Sequence, residues 1–541
     1  MRIDPVKLNQ KNVLVDDYLH HYKNVEDKFE YDPHHEGTLQ KRAEYVRERA
    51  FNREELADIL IMMNKQWEAP SHTFTMIEKL RNDQTMAVVA GQQAGLLTGP
   101  LYTVHKIISV IQLAKQQEKE LGTPVIPIFW IAGEDHDFAE INHVMMKSEQ
   151  RMKKVQLQSQ TDQKASVSDL PFDREAVDSW LKKVFAEVKE TEITRDFYQT
   201  VVSHMKLSSS YSEFFARLLY TLFNEEGLII VDAHHQGIRQ LESGYFEQMI
   251  HENETIAEGV WAAIQRNRQQ GYPVSLDSEA ADAHLFYHHN GERILLARGE
   301  EGSFRGKKNE VEKTKTELLQ IAQESPWQLS NNVVTRPLMQ EFLLPVLSFI
   351  GGPGEISYWS VLKPAFQAVG LQMPPVYPRL SFTLVDRKAE AALRELHLDM
   401  KQVLEHGTAS EKVKWLAAAS NPPIEQMSEQ IKQEMANIHQ PLREKASELG
   451  PDLEALAEKN LDYLKQMVEF LEHRMLQTIE EKYQREMKTF KELDLLLHPE
   501  GGLQERVWNI TPWVNTYGMD VFKRINDHQL SFTHPHYVVY V

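Results

Sequence analysis

The chain has 541 residues, more than one ordinary domain holds, and its 42% hydrophobic and 26% charged composition argues against extended disorder. A formal net charge of −19 leaves no basic surplus for general nucleic-acid binding, and the lack of cysteine excludes disulfides, thiolate metal sites and thiol nucleophiles. The first residues, MRIDPVKLNQKN, lack the apolar stretch of a signal peptide, and the most apolar window, residues 124–132, is about half the length a membrane helix needs, so a soluble, cytoplasmic chain with no membrane and no nucleic-acid partner is expected.

Residues 1–85 read as mainly helical and polar, with 54–63 an amphipathic example. Apolar runs at 86–90, 125–131, 227–231 and 344–350 then read as buried strands, and helical patterns follow at 101–120, 235–269 and 356–369. Gly244 and Gly259 raise the possibility of two helices within 235–269. Strands alternating with helices predict an α/β fold with a parallel sheet and ligands at the strands' carboxyl ends.

Two polar excursions, 147–211 and 273–325, read as insertions; in the second, HLFYHH and ERILLAR flank Asn290-Gly291, a hairpin turn pair. From 387 the pattern becomes helical. Ile424, Met427, Ile431, Met435, Ile438 and Leu442, then Leu464, Val468, Leu471, Met475 and Ile479, repeat at three and four on either side of Gly450-Pro451. They predict two long helices in an antiparallel coiled-coil hairpin with an apolar stripe left for docking or dimerisation. The tail, 537–541, is strand-like. The expected organisation is therefore a helical segment 1–85 packed on the core, a core over 86–386, an arm over 387–497 and a C-terminal segment 498–541 returning to the core.

The segment MAVVAGQQAGLLTGPLYTVHK (86–106) places Gly91, Gly95 and Gly99 between a strand and a helix, an order that can aim backbone N–H groups and a positive helix end at an anion. It lacks the endings of a Walker loop and of a dinucleotide fingerprint, and it also reads as a turn whose glycines permit tight packing. The second strand runs into Gly133, Glu134, Asp135, His136 and Asp137, where α/β proteins build active sites; these carboxylates and the histidine can orient an amine, move protons or bind a metal, and Asp135 or Asp137 can equally cap the next helix. Asp232 and His234 end the third strand and join that cluster if strand order permits. His204, His288 and His289 read as surface residues. Asn331 and Arg336 precede an apolar segment, and Gly351, Gly352, Gly354 and Glu355 follow the fourth strand and open a helix bearing Tyr358 and Trp359, suited to stacking on a flat ligand.

Together GQQAGLLTGPLYTVHK, FWIAGEDHDFAEINH, NNVVTRPLMQE, FIGGPGEISYW and HPEGGLQERVWN, in this order along essentially the whole chain, resemble the BshC family, the cysteine-adding enzymes of bacillithiol biosynthesis. The resemblance implies a Rossmann-like core related to class I aminoacyl-tRNA synthetases, inserted connecting segments and a coiled-coil arm that makes a homodimer. It implies a ligase adding L-cysteine to glucosaminyl-malate, with ATP or another adenine nucleotide as activator; no metal is expected.

In that frame Glu134, Asp135, His136 and Asp137 are the catalytic candidates. Gln92, Gln93, Tyr102, Asp232, His234, Asn331, Arg336, Glu355, Tyr358 and Trp359 are substrate-binding candidates. Gly91, Gly95, Thr98, Gly99, Gly351, Gly352 and Gly354 are nucleotide-binding candidates, with His498, Gln504, Arg506 and Asn509 carried over as a second nucleotide site. The chain departs from the synthetases in having Thr98-Gly99-Pro100-Leu101 in place of their His-x-Gly-His motif and no KMSKS loop, and Lys106, about a turn inside the helix, reads as a poor substitute. Two other readings stand beside the ligase: a metal-dependent hydrolase built on 134–137 with Asp232 and His234, and a non-enzymatic protein that works through its coiled coil.

Overall fold

The computed structural model describes residues 1–158, 165–420, 423–533 and 536–541. Residues 159–164 of the first insertion lie outside the described residues. Five strands, Met86–Gln92, Val125–Ile131, Ile229–Asp232, Val346–Gly351 and Val376–Pro378, form an all-parallel sheet. Every residue of the second, third and fourth is buried, as expected for parallel strands covered on both faces.

The spatial order is fifth, fourth, first, second, third. The chain thus winds outward from the first strand to the third and returns on the other side to the fourth. This is the Rossmann-like arrangement, and it opens a crevice at the carboxyl ends of the adjacent first and fourth strands, where the winding changes direction. The helix after the first strand, Tyr102–Leu121, ends at Gly122 in the left-handed conformation (φ 64°), a glycine stop that fits a helix C-terminus.

Several elements differ from their sequence patterns for identifiable reasons. The stretch 235–269 is three helices, Gln236–Leu241, Ser243–His251 and Asn253–Gln269, broken at Glu242 and Glu252 and not at either glycine. Gly259 instead allows close packing, since a Cβ there would lie 2.8 Å from the Pro364 side chain. The stretch 356–369 divides into Pro353–Trp359 and Lys363–Ala368, because Pro364 is accommodated only in the first turn of a helix.

The second insertion contains the expected hairpin, Asp282–His289 with Glu292–Arg298, turning at Asn290 (φ 51°) and Gly291 (φ 80°). It extends into a five-stranded antiparallel sheet whose far edge is Leu329–Asn331. The tail strand His536–Tyr540 joins a separate three-stranded sheet, between Arg2–Pro5 and Ser381–Val385. The N-terminal strand carries Pro5 and is too short for any alternation to be legible.

Two compact units are present: one of Met1–Ser148, Met152–Leu384 and Glu505–Val541, the other of Glu149–Arg151 and Val385–Gln504. The second contains the helices Ile424–Leu449 and Pro451–Lys482, which reverse at Gly450 (φ 147°) with Pro451 at the first helical position. Ser428 to Glu472, His439 to Asn460 (3.0 Å) and Arg443 to Glu458 (3.0 Å) fix an antiparallel register. Much apolar surface stays uncovered along this hairpin, including Ile438 (80% exposed), Leu442 (67%), Met467 (64%) and Phe470 (63%). Among the described residues no helix is long and apolar enough to cross a membrane.

Candidate active site

The crevice at the switch point widens into a cavity of about 550 Å³ within the first unit. Its walls come from residues distant in sequence: 91–93 at the end of the first strand, Glu134, Asp135 and His136 after the second, 352–355 with Tyr358 after the fourth, Asn331 and Arg336 beyond the insertion, and Phe286 and Arg293 on the hairpin. Tyr102, Lys106, Arg379 and Arg506 complete it. Five cations face three carboxylates here, in a chain that carries −19 overall. That local inversion of charge marks a cleft suited to an anionic ligand.

Lys106 is one turn into its helix, yet its ammonium reaches the cleft. Helical side chains lean toward the N-terminus, and the long lysine stem covers the remaining distance. Its Nζ donates to Gly91 O (2.8 Å) and Gln92 Oε1 (2.9 Å) and pairs with Glu355 (2.5 Å), joining the turn after the first strand to the turn after the fourth. Burial, only partly offset by Glu355, lowers the Lys106 pKa. Glu355 also accepts from Gly352 N (2.8 Å), closing the start of its own helix.

Arg336 donates to Tyr358 OH (2.6 Å) while its buried Nε has no protein partner among the described residues. The Arg293 guanidinium lies 3.7 Å from the centre of the Phe286 ring, with Nη1 3.2 Å from His136 Nδ1 and 3.7 Å from Asp135 Oδ1. Arg379 is held by Glu505, and Arg506 is exposed at the rim.

The four consecutive ionisable residues divide by role. Asp135 faces the cavity and accepts from Gln93 Nε2 (2.9 Å) and from His136 N (2.7 Å). Burial pushes its carboxyl up, but the Gln93 amide, Arg293 and the His136 N–H outweigh that and hold it below the ordinary value. Glu134 reaches the wall but is committed to a buried ion pair with Arg239, which also binds Glu242 (2.7 Å). Asp137 is exposed and caps the next short helix through Ala139 N (3.1 Å).

The loop at Val167 and Ser168 clamps this turn from behind. Val167 N donates to Asp135 O (2.7 Å) and Ser168 N to Gly133 O (3.0 Å). Asp232 and His234 belong to the same support and not to the lining: the third strand does lie beside the second, but Asp232 bonds Ser168 Oγ (2.6 Å) and His234 bonds Asp169 (2.7 Å). Gly133 is needed there, since a Cβ would lie 2.1 Å from Asp232 Oδ1. His288, read as a surface residue, is half-buried, stacks on His234 and bonds Ser330 (2.9 Å); burial foremost lowers its pKa to about 3.

Of the glycine turn, only Gly91 lines the cavity. Gly95 and Gly99 face each other, a Cβ on the former meeting Gly99 Cα at 2.7 Å, and Thr98 is fully buried. The N–H groups of Gly95, Gly99 and Leu101 already donate to the carbonyls of Gln93, Leu96 and Trp508. These glycines pack the turn, and the cleft's positive charge comes from side chains.

Gly352 and Gly354 line the cavity, whereas Gly351 and Trp359 lie behind it, the latter stacked on Phe349 (4.7 Å). His498 and Gln504 belong to the arm unit, where His498 bonds Leu404 O (2.9 Å) and Gln504 bonds Leu496 O (2.9 Å). Asn509, in the core unit, holds Met145 O (2.8 Å). Among the described residues no group of three or more His, Cys, Asp or Glu is placed to hold a metal ion. Sequence reasoning discounted Lys106 and missed Arg293, Arg379 and Glu505.

Two family models account for the chain. Residues 1–380 match Bacillithiol biosynthesis BshC, N-terminal Rossmann-like domain, and residues 382–541 match Bacillithiol biosynthesis BshC, C-terminal coiled-coil domain. The chain belongs to the BshC family. Relatives include proteins of Oceanobacillus iheyensis (40% identical over 545 residues) and a Geobacillus species (38% over 542), each aligned over 100% of both chains. Another, from Bacillus cytotoxicus, is 38% identical over 97% of both chains. All three carry the name "Putative cysteine ligase BshC". BshC membership accounts for both the Rossmann-like core and the helical arm.

Proposed function

We propose that this protein is a ligase joining L-cysteine to the amine of glucosaminyl-malate to form bacillithiol, with the cysteine carboxylate activated by ATP or another adenine nucleotide. We further propose that it works in the cytoplasm as a homodimer joined through the coiled-coil arm. The observation that carries the reading is the cation-rich cleft at the switch point, with an ionised Asp135 on its wall, in a chain whose full-length relatives are named for cysteine ligation.

Both substrates bring carboxylates, and an amide does not form from a free carboxylate and an amine in water without activation. The nucleotide supplies that activation by giving the carboxyl carbon a good leaving group. The donor set suits such anions: the unpartnered Nε of Arg336, with Arg506 at the rim, would hold phosphate or carboxylate oxygens.

Asp135, kept charged, holds an ammonium or orients the attacking amine electrostatically, because a carboxylate of depressed pKa is a weak base but a firm anchor. Gln93 fixes its direction. His136, beside Asp135 and Arg293, has the side-chain type suited to taking the proton that the amine sheds. The Lys106–Glu355 pair keeps the two turns in register so that both substrates meet the same cleft.

The test is complementation. A bacterial strain deprived of its own BshC-family gene should regain bacillithiol when it carries this chain, and should stay without it when it carries Asp135→Ala at equal protein level. Failure of the wild-type chain to restore the thiol overturns the function; restoration by Asp135→Ala overturns the role of Asp135.

A further inference from the structure

Glu505 follows the helical arm in sequence but lies wholly inside the first unit, and its side chain is 2% exposed. Both carboxylate oxygens are used. One accepts from Arg379 Nη1 (2.5 Å), from Ser381 Oγ (2.8 Å) and from the His105 ring (2.9 Å); the other accepts from Arg379 Nη2. Burial raises the Glu505 pKa, and the Arg379 contacts outweigh it and hold the group ionised. His105 is driven toward the neutral form chiefly by its own burial, so Arg379 remains the principal countercharge.

Two parallel bonds to one carboxylate fix the plane of a guanidinium, which single contacts do not. The backbone beside it is tied as well, with Leu380 N donating to Ser109 Oγ (2.9 Å). Fixed in this way, Arg379 lines the cavity with both terminal nitrogens engaged by Glu505, and Nε is left as the nitrogen that Glu505 does not use. Gly352 stands beside that nitrogen: a Cβ there would lie 3.2 Å from Nε, so a side chain at this position would crowd it. The backbone at Gly352 (φ −77°, ψ 172°) is one that any residue adopts, so conformation alone does not call for glycine there.

We propose that Glu505 is a positioning residue, holding Arg379 so that its Nε–H takes an anionic oxygen of the bound substrate across Gly352. This rests on the cleft being the substrate site proposed above. Paired one to one with a carboxylate, Arg379 acts as a directed donor and not as a bare charge, and so selects where the anion sits as well as its sign.

The experiment measures binding of two probes, L-malate for a carboxylate and inorganic pyrophosphate for a phosphate, to the full-length protein by calorimetry. Glu505→Gln turns a donor toward Arg379 and should weaken one probe or both by roughly tenfold or more, the scale of a charge-assisted hydrogen bond. Glu505→Asp should recover part of the loss. Gly352→Ala leaves the buried pair intact, so it serves even where Glu505→Gln folds poorly; it should cause a similar loss and add little when combined with Glu505→Gln.

Loss confined to malate assigns the contact to a carboxylate, and loss confined to pyrophosphate assigns it to a phosphate. Wild-type protein that binds neither probe, or Gly352→Ala that binds both as wild type does, overturns the proposal. If no bacillithiol forms yet Gly352→Ala and Glu505→Gln still weaken the probe, the ligase reading falls and the positioning role stands. If product forms and both variants bind and turn over normally, the reverse holds.

Discussion

Glu134 and Asp135 are neighbours in sequence, and the structure gives them opposite duties that mutation should separate. Glu134→Gln removes a charge from the buried group with Arg239 and Glu242, in which the side chains are 4%, 0% and 0% exposed. Arg239 keeps Glu242 as its countercharge, so the loss is that of charge-assisted hydrogen bonds, about 1.5–3 kcal/mol. Spread over the unfolding entropy of a unit this large, that cost lowers the melting temperature by about 3 °C.

Asp135→Asn acts differently. Asp135 is 27% exposed at its side chain and keeps one acceptor oxygen for either Gln93 or the His136 N–H, so the stability loss should be about 1 kcal/mol. Its anchoring of an ammonium is a charge-assisted contact, whose removal costs about 1.5–3 kcal/mol, or roughly 10- to 150-fold in kcat/KM. Differential scanning calorimetry and initial rates of bacillithiol formation on the two purified variants give both numbers. If Glu134→Gln melts as wild type does while losing activity as deeply as Asp135→Asn, this division of labour is wrong.

Lys106→Met keeps the stem and removes the ammonium that joins the two turns, so kcat/KM should fall roughly 10- to 100-fold while helix content by circular dichroism is unchanged; unchanged kinetics would reduce Lys106 to packing. The folded Asp135 carboxyl lies below its unfolded value, so its contribution is complete above the ordinary carboxylate pKa of about 3.9 and fades only as pH falls through the folded value. Binding of the amine substrate, followed by calorimetry against pH, should therefore hold down to about pH 4; a loss centred near pH 6 would assign the anchor to another group. Leu471→Glu with Phe470→Glu, both on exposed positions of the arm, should convert a dimer to a monomer in sedimentation velocity without loss of helicity, and a wild-type chain that sediments as a monomer refutes the dimer.

Four of the five core strands and the arm were legible because each obeys one local rule: unbroken apolar runs for strands covered on both faces, and a three-four repeat on either side of Gly450-Pro451 for the hairpin of helices; the fifth strand, Val376–Pro378, is too short to show such a run. The cleft was legible where a motif sits at the carboxyl end of a strand, as with Asp135 and Gly352. Local reading went too far with Gly95 and Gly99, whose spacing serves mutual packing, and with His235 onward, where breaks fall at glutamates and glycines continue the helix. It fell short with Arg293 and Arg379. Neither carries a signal in its own neighbourhood, and each becomes part of the cleft only through long-range topology: a hairpin folded over the crevice for Arg293, and a carboxylate more than a hundred residues away for Arg379. Lys106 was misjudged because helical position was counted along the axis, without the lean of helical side chains toward the N-terminus.

The most direct test of the account is reconstitution with purified full-length protein, glucosaminyl-malate, L-cysteine and ATP, followed by mass spectrometry for bacillithiol and by chromatography for the nucleotide products. Bacillithiol should form in step with ATP consumed, and roughly 10- to 150-fold more slowly in Asp135→Asn. Absence of bacillithiol while the protein remains folded would contradict it.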